Sequence, residues 1–219
     1  MRFFLLAILS CLMIGACTEP PPPPSEDIFV PTSDEENRQR LIWQKPGAVI
    51  DAMGDVEEKV IADIGAGEGF FAQRLAQLAD RVIAIEIDER YIQYLDTLKQ
   101  FELPQKFQPR LEPRLATAND PNLEDREVDI ILIVNTFLEI NNQVDYLKKL
   151  FPALRPDGRI VIVDWKKKRT DIGPPQDKRV ALYQLEEMLR KAGFHLVSSD
   201  DQTLEYQYIV VADKKVEKR

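Results

Sequence analysis

The sequence predicts an α/β fold, a largely parallel sheet with helices on both faces, and three stretches carry that expectation. Val60 to Gly69, VIADIGAGEG, is an apolar run that takes in Asp63, followed by Gly65, Gly67 and Gly69 alternating across a tight turn, with a helical pattern starting at once. Val82 to Asp88, VIAIEID, is a second strand with Glu86 at its tip. Val128 to Val134, VDIILIV, is the continuous apolar run that a parallel strand buried on both faces requires. With 219 residues and 44% hydrophobic side chains the chain suits one such domain, expected over residues 35–213.

The glycine loop indicates what the fold is for. Glycine permits φ > 0 and removes the Cβ, so a ligand, including a small anionic group, can lie against bare backbone where N–H groups converge at a helix start. Glu86, about twenty residues beyond the loop, is placed to accept hydrogen bonds from ribose hydroxyls. A dinucleotide fingerprint needs G-x-G-x-x-G, whereas this loop reads GAGEG followed by Phe70 and Phe71. Asp63 would repel a phosphate but suits an ammonium group. A ligand with an amino acid at one end and adenosine at the other satisfies both acids, and S-adenosylmethionine is that ligand. The segment resembles motif I of the class I methyltransferases, with Glu86 at the place of their ribose-binding acid; an NAD-binding oxidoreductase is the weaker alternative. Cofactor contacts are expected from Asp63, Gly65, Gly67, Gly69, Glu86 and Ile87.

The N-terminus reads as an address. Met1-Arg2 supplies one charge, Phe3 to Ile14 is apolar but short for a spanning helix, and Ile14-Gly15-Ala16-Cys17 resembles a bacterial lipobox. Residues 1–16 are thus expected to be a signal peptide, with Cys17 lipidated and the product held at a membrane on its extracytoplasmic face. An uncleaved anchor, or a cytoplasmic protein whose leader is not processed, is the other reading. Residues 17–34, with five prolines at 20–24, read as an extended tether, and residues 214–219 as a charged tail.

Along the domain, Leu41, Ile42, Val49, Ile50 and Met53 predict two short helices parted at Pro46 and covering one edge of the sheet. Phe71, Leu75 and Leu78 predict a helix lying on the sheet, and Tyr91, Leu95 and Leu98 another over residues 90–101. Pro109 to Leu115, with two prolines, suits only an edge strand. A further helix is expected from Val144 to Leu154, then a turn at RPDG and a fifth strand.

Ligands of open α/β sheets sit at the carboxyl ends of the strands. Asn119 or Asp120 is therefore a candidate for the adenine amino group, with a plain turn as the competing reading, and Ile87 a candidate to pack on the ring. Asn135, after the fourth strand, would border the reacting methyl. Trp43-Gln44-Lys45-Pro46, the stretch from Asp164 to Arg179, Ala192-Gly193-Phe194 and Leu204 to Tyr208 resemble a small bacterial branch of methyltransferases related to the quinone-biosynthesis type. The resemblance implies a Rossmann-like seven-stranded sheet of order 3-2-1-4-5-7-6 with the last strand antiparallel. It also implies catalytic-side roles for Asn135, Glu139 and Asp164. Where this branch often carries a histidine after strand four, the chain has Leu138, leaving Glu139 as the nearby titratable group. Glu68 stands where Thr is commoner.

The acidic balance, 29 Lys+Arg against 37 Asp+Glu, disfavours a nucleic-acid partner and favours a small-molecule acceptor. No metal-ligand cluster or Ser/His/Asp set stands out. Lys166 to Arg169 reads as a solvated loop or as a contact for an anionic acceptor or lipid headgroup, and His195 as structural.

Overall fold

The computed structural model describes residue 29 and residues 31–214, and the expected signal peptide, Cys17 and most of the expected tether and charged tail lie outside them. Seven strands form one sheet in the order β3-β2-β1-β4-β5-β7-β6. They are β1 (Val60–Ile64), β2 (Arg81–Glu86), β3 (Leu111–Leu115), β4 (Val128–Val134), β5 (Leu154–Trp165), β6 (His195–Asp200) and β7 (Gln207–Asp213). The first five pair in parallel, and β7 runs antiparallel to both β5 and β6, as expected.

Period-two alternation divides the strands between two cores. Ile61, Val82, Ala84, Leu132, Val161, Val163 and Val211 face one side, where α2 (Pro46–Met53), α3 (Ala72–Leu75) and α4 (Glu89–Phe101) bring Met53, Leu75 and Leu95. Ala62, Ile83, Ile131, Ile133, Ile160, Ile162 and Val210 face the other, under Leu147 and Leu150 of α5 (Gln143–Ala153) and Leu185 and Leu189 of α6 (Leu182–Lys191). Burial on both faces leaves only the strand ends for polar chemistry. Pro113 of β3 is accommodated at an edge, with Pro109 in the 3-10 turn before the strand, and Arg81, Glu112, Arg114 and Glu127 cover that edge with ion pairs, Arg114 to Glu127 at 2.8 Å among them.

Four details depart from the sequence expectation. The helix after the glycine loop is a single turn, and Leu78 is 47% exposed, because Ala76 and Ala79 take the buried positions before the chain re-enters the sheet at β2. In α1 (Asp34–Gln44) Leu41 and Ile42 face outward, and the helix is held instead by Arg40, Trp43 and Gln44. Tyr91 is only half-buried, leaving Leu95 and Leu98 to anchor α4. Lastly, α5 starts at Gln143 and hands over directly to β5, where residues 155–158 bulge out between the Val128–Leu154 and Ile130–Arg159 pairs.

The segment before α1 is fastened at both ends. Ser33 and Glu36 close a capping box, and the Thr32 amide and hydroxyl donate to the Glu68 carboxylate at 2.8 and 2.9 Å. Glu68 therefore ties α1 to the glycine loop.

Truncating Leu132→Ala, at the centre of the sheet, should lower unfolding free energy by about 2–5 kcal/mol, whereas Leu78→Ala should cost no more than about 0.5 kcal/mol. Urea titration of the two variants measures both.

Candidate functional site

The three loop glycines have different duties. Gly65 adopts φ +72°, and a Cβ there would meet the Thr136 hydroxyl at 2.2 Å; Gly69, at φ +78°, would meet Leu95 at 2.8 Å. Both make room for protein. Gly67, at φ +54°, would meet nothing within 4 Å, so it alone keeps open space in front of the loop.

The loop amides are not a free anion cradle. Gly65 and Ala66 both donate to the Ile85 carbonyl, at 2.9 and 3.1 Å, and Gly67 donates to Glu86 Oε1 at 2.6 Å. Ile87 donates to Glu86 Oε2 at 3.0 Å. The expectation of a small-anion site is corrected on this ground: the protein's own carboxylate occupies it, and the one-turn α3 adds little dipole. Pinned by one amide on each oxygen, Glu86 retains a further lone pair on each for hydroxyl donors. Burial pushes its pKa up, and the two amides pull it back.

Asp63, in β1, is 2% exposed, and its Oδ2 has no hydrogen-bond partner. Burial raises its pKa from 3.8 to about 7, against the downward pull of the Arg40 cation, while Glu86 pushes it up. A carboxylate left in this condition at the foot of an open loop fits a ligand ammonium.

Beside the loop lies a cavity of about 190 Å³ lined by Gly65, Glu86, Ile87, Asn135, Thr136, Glu139 and Tyr146 among others. Four of the expected cofactor and catalytic-side positions after strand tips, Glu86, Ile87, Asn135 and Glu139, thus meet in one place. Gly67 opens instead on a neighbouring cavity of about 480 Å³ with Arg40, Phe70, Arg74 and Tyr91. Asn119 and Asp120 do not line the first cavity. Asp120 accepts from the Asn122 amide at 2.9 Å in a turn, the Asn119 carbonyl accepts from Lys149, and the cavity wall is made by Ala116 to Ala118. Gly69 lines neither cavity.

Asp164 is 1% exposed and fully engaged, accepting from the Leu138 amide at 3.0 Å and the Trp165 amide at 2.7 Å. Burial raises its pKa to about 6. It fixes the turn that carries Leu138 and Glu139, so its contact is with backbone. In the basic run after β5, Lys166 Nζ donates to the Leu204 and Glu205 carbonyls while Lys167, Lys168 and Arg169 are exposed, and the buried Arg179 guanidinium holds the loop by donating to the carbonyls of Lys166, Lys168, Ile172 and Pro174. Tyr208 is buried with its hydroxyl on the Val180 carbonyl at 3.1 Å.

Sequence reasoning missed a buried amide relay. Arg40 Nε donates to Gln44 Oε1 at 2.5 Å, Gln44 Nε2 donates to Gln207 Oε1 at 3.0 Å, and Gln207 Nε2 donates to Asn135 Oδ1. Arginine has no acceptor, so its place at the head fixes the polarity of every amide and leaves Asn135 presenting its NH₂. Gln44 and Gln207 are 0% exposed, yet their letters alone do not distinguish them from surface glutamines.

Residues 62–162 match the Methyltransferase domain family, whose span covers the glycine loop, Glu86, β4 and most of β5. Over that stretch the chain is similar to S-adenosylmethionine-dependent methyltransferases. It is 23% identical over 142 residues to a protein of Mycolicibacterium smegmatis named a probable S-adenosylmethionine-dependent methyltransferase, covering 62% of this chain and 52% of that one. It is 27% identical over 165 residues to the demethylmenaquinone methyltransferase of Tropheryma whipplei, covering 75% of this chain and 62% of that one. The chain thus spans about half to three-fifths of the length of these relatives. In fold it is similar to an S-adenosylmethionine-dependent methyltransferase of Aquifex aeolicus (24% identity, TM-score 0.73, 84% and 99% of the two chains). It is also similar to the [4+2]-cyclase SpnF (16% identity, TM-score 0.67, 81% and 83%).

The residues present in the matched span fit S-adenosylmethionine: a buried acid with one oxygen unpartnered for an ammonium, a pinned acid with spare lone pairs for ribose, and Ile87, 60% exposed, for a ring face.

Because Asp63 has a folded pKa above its ordinary value, its ionisation destabilises the native state. The Asp63 contribution to stability is greatest below 3.8, falls as pH rises, and reaches its lower plateau above about 7. Asp63→Asn should remove this part of the slope and be more stable than the parent above that pH, read from unfolding transitions across the range.

Proposed function

We propose that this chain transfers a methyl group from S-adenosylmethionine to a small-molecule acceptor, and that it lies near the quinone-biosynthesis branch of the family. The observation that carries the reading is the pair of acids at adjacent strand ends, Asp63 with its Oδ2 unpartnered and Glu86 pinned by Gly67 and Ile87, with Glu86 on a cavity that also holds Asn135 and Glu139. The match to a demethylmenaquinone methyltransferase supports the branch.

The bound cofactor supplies a methyl group activated on a sulfonium. The chain's own residues orient and enclose. Asp63 receives the ammonium, Glu86 the ribose hydroxyls, and Ile87 packs on the adenine, with the Ala116 to Ala118 wall opposite. Asn135 borders the acceptor with its NH₂ directed outward by Gln207, and Glu139, exposed on the cavity, is the group within reach to take a proton from an acceptor that needs deprotonation. Asp164 acts through backbone, holding the turn under Glu139. Leu138, in place of the branch's usual histidine, makes the acceptor side unusual, and a domain that binds cofactor without catalysis is the second reading on that observation.

Export is part of the proposal. The apolar leader and Cys17 support a chain anchored by lipid at the extracytoplasmic face of a membrane, and mass spectrometry of the native chain tests it. An acylated Cys17 at the N-terminus is expected; an intact, lipid-free Met1 would sink it.

Calorimetry with S-adenosylhomocysteine should show binding that Glu86→Ala weakens at least about tenfold and Gly67→Val abolishes, while Gly67→Val changes stability by only about 1–2 kcal/mol. A preference for NAD would refute the cofactor. Labelled methyl transfer to a small-molecule extract, reduced by Glu139→Gln, separates the enzyme from the binding module; transfer that appears only on Leu138→His marks a degenerate enzyme.

A further inference from the structure

Three side-chain amides, from α1, β7 and the residue after β4, form one relay of hydrogen bonds inside the protein. Gln44 and Gln207 are fully buried, and each commits both ends of its amide to the relay. A guanidinium has donors and no acceptor, so with Arg40 at the head no amide can turn round without setting two donors or two acceptors face to face. Leucine or methionine would fill the same space without burying polar groups, and what the amides add is direction. The relay ends on Asn135. Its backbone sits at φ +59°, which asparagine tolerates, with its N–H on the Val163 carbonyl at 2.9 Å. Gln207 occupies the Asn135 Oδ1, while Nδ2 donates to no protein group among the described residues and is not sealed off, on the cavity that Asn135 shares with Glu86 and Glu139.

We propose that Gln44 and Gln207 are positioning residues that fix Asn135 as a hydrogen-bond donor toward the methyl acceptor, and that the acceptor therefore presents a carbonyl, carboxylate or hydroxyl oxygen at that point, never an ammonium or an amide N–H. The assignment rests on the methyl-transfer reading of this cavity and adds two residues outside the matched span 62–162. An N–H already aimed at that oxygen needs no reorganisation as charge shifts during transfer. A free asparagine could offer its own carbonyl to the same ligand by turning over, and the relay removes that choice.

The test reverses the relay from its buried start in the full chain. In Gln44→Glu the new carboxylate, kept ionised by the Arg40 cation, has no hydrogen to give; Gln207 turns to donate to it, and Asn135 turns to donate to Gln207, leaving Oδ1 on the cavity. Hydrogen exchange of the Asn135 side-chain NH₂, assigned by nitrogen-15 NMR through its loss in Asn135→Asp, should be fast in the parent and at least about tenfold slower in Gln44→Glu. Methyl-label transfer from S-adenosylmethionine into the small-molecule extract should fall at least about tenfold in Gln44→Glu and in Asn135→Asp, with affinity for S-adenosylhomocysteine held within about twofold. Gln44→Met breaks the relay without reversing it and should lose less transfer than Gln44→Glu, whereas a merely structural relay predicts equal losses. The labelled product, identified by mass spectrometry, should carry a hydroxyl, carbonyl or carboxylate oxygen, or the methyl ether or ester made from one. Unchanged exchange of the Asn135 amide, equal losses in the two Gln44 variants, a loss of S-adenosylhomocysteine affinity as large as the loss of transfer, or an acceptor without such an oxygen overturns the assignment. A parent that binds S-adenosylhomocysteine but transfers no label overturns the methyl-transfer reading itself, and the assignment with it. If Gln44→Glu does not fold, Gln207→Met, which frees Asn135 to turn, should lower transfer with S-adenosylhomocysteine affinity held, and unchanged transfer overturns the assignment.

Discussion

The hydrogen bond from the Gly67 amide to Glu86 ties the tip of β2 to the loop leaving β1, and much of the site depends on it. Both strands are buried on both faces, so the only places where polar groups can emerge are their carboxyl ends. There the Ile85 carbonyl collects the Gly65 and Ala66 amides, Glu86 collects Gly67 and Ile87, and the loop is left with one open face. The spacing of the glycines follows from this geometry. Two of them yield to Thr136 and Leu95, and the third faces open space.

Around that floor, α1 forms one wall. It is joined to the body by Trp43 tilted against Trp165 with ring centroids 5.2 Å apart, by Thr32 on Glu68, and by the relay through Gln44 and Gln207 to Asn135. These contacts are polar or aromatic at their ends, unlike the aliphatic packing of α2, so the helix is specified by hydrogen-bond polarity more than by buried area. The arrangement joins Arg40, on the cavity shared with Gly67, to Asn135, on the cavity beside Glu86, through one chain of amides.

A sheet of this order supports more than one chemistry, and the similarity to both a methyltransferase and a [4+2]-cyclase makes the point. What separates reactions lies after β4 and β5. Here Asp164 spends both oxygens on backbone amides and Arg179 spends its guanidinium on four carbonyls, so the loops that would meet an acceptor are held by buried charge.

The sequence by itself determined the strands, their burial and the cofactor loop, because each is written in local pattern. Continuous apolar runs mark β1, β2 and β4, alternating glycines mark the turn, and Glu86 falls at a strand tip by simple count. The outward turn of Leu41 and Leu78, the withdrawal of Asn119 and Asp120 from the cavity, and the engagement of Asp164 were decided only in three dimensions. In each case a contact distant in the chain, or a competing local hydrogen bond, outweighed the pattern: Ala76 and Ala79 took the buried places of Leu78, Asn122 closed a turn on Asp120, and Leu138 claimed Asp164. The relay from Arg40 to Asn135 belongs to the same class. Its links from Gln44 to Gln207 and from Gln207 to Asn135 span 163 and 72 residues, and only folding makes buried amides of them.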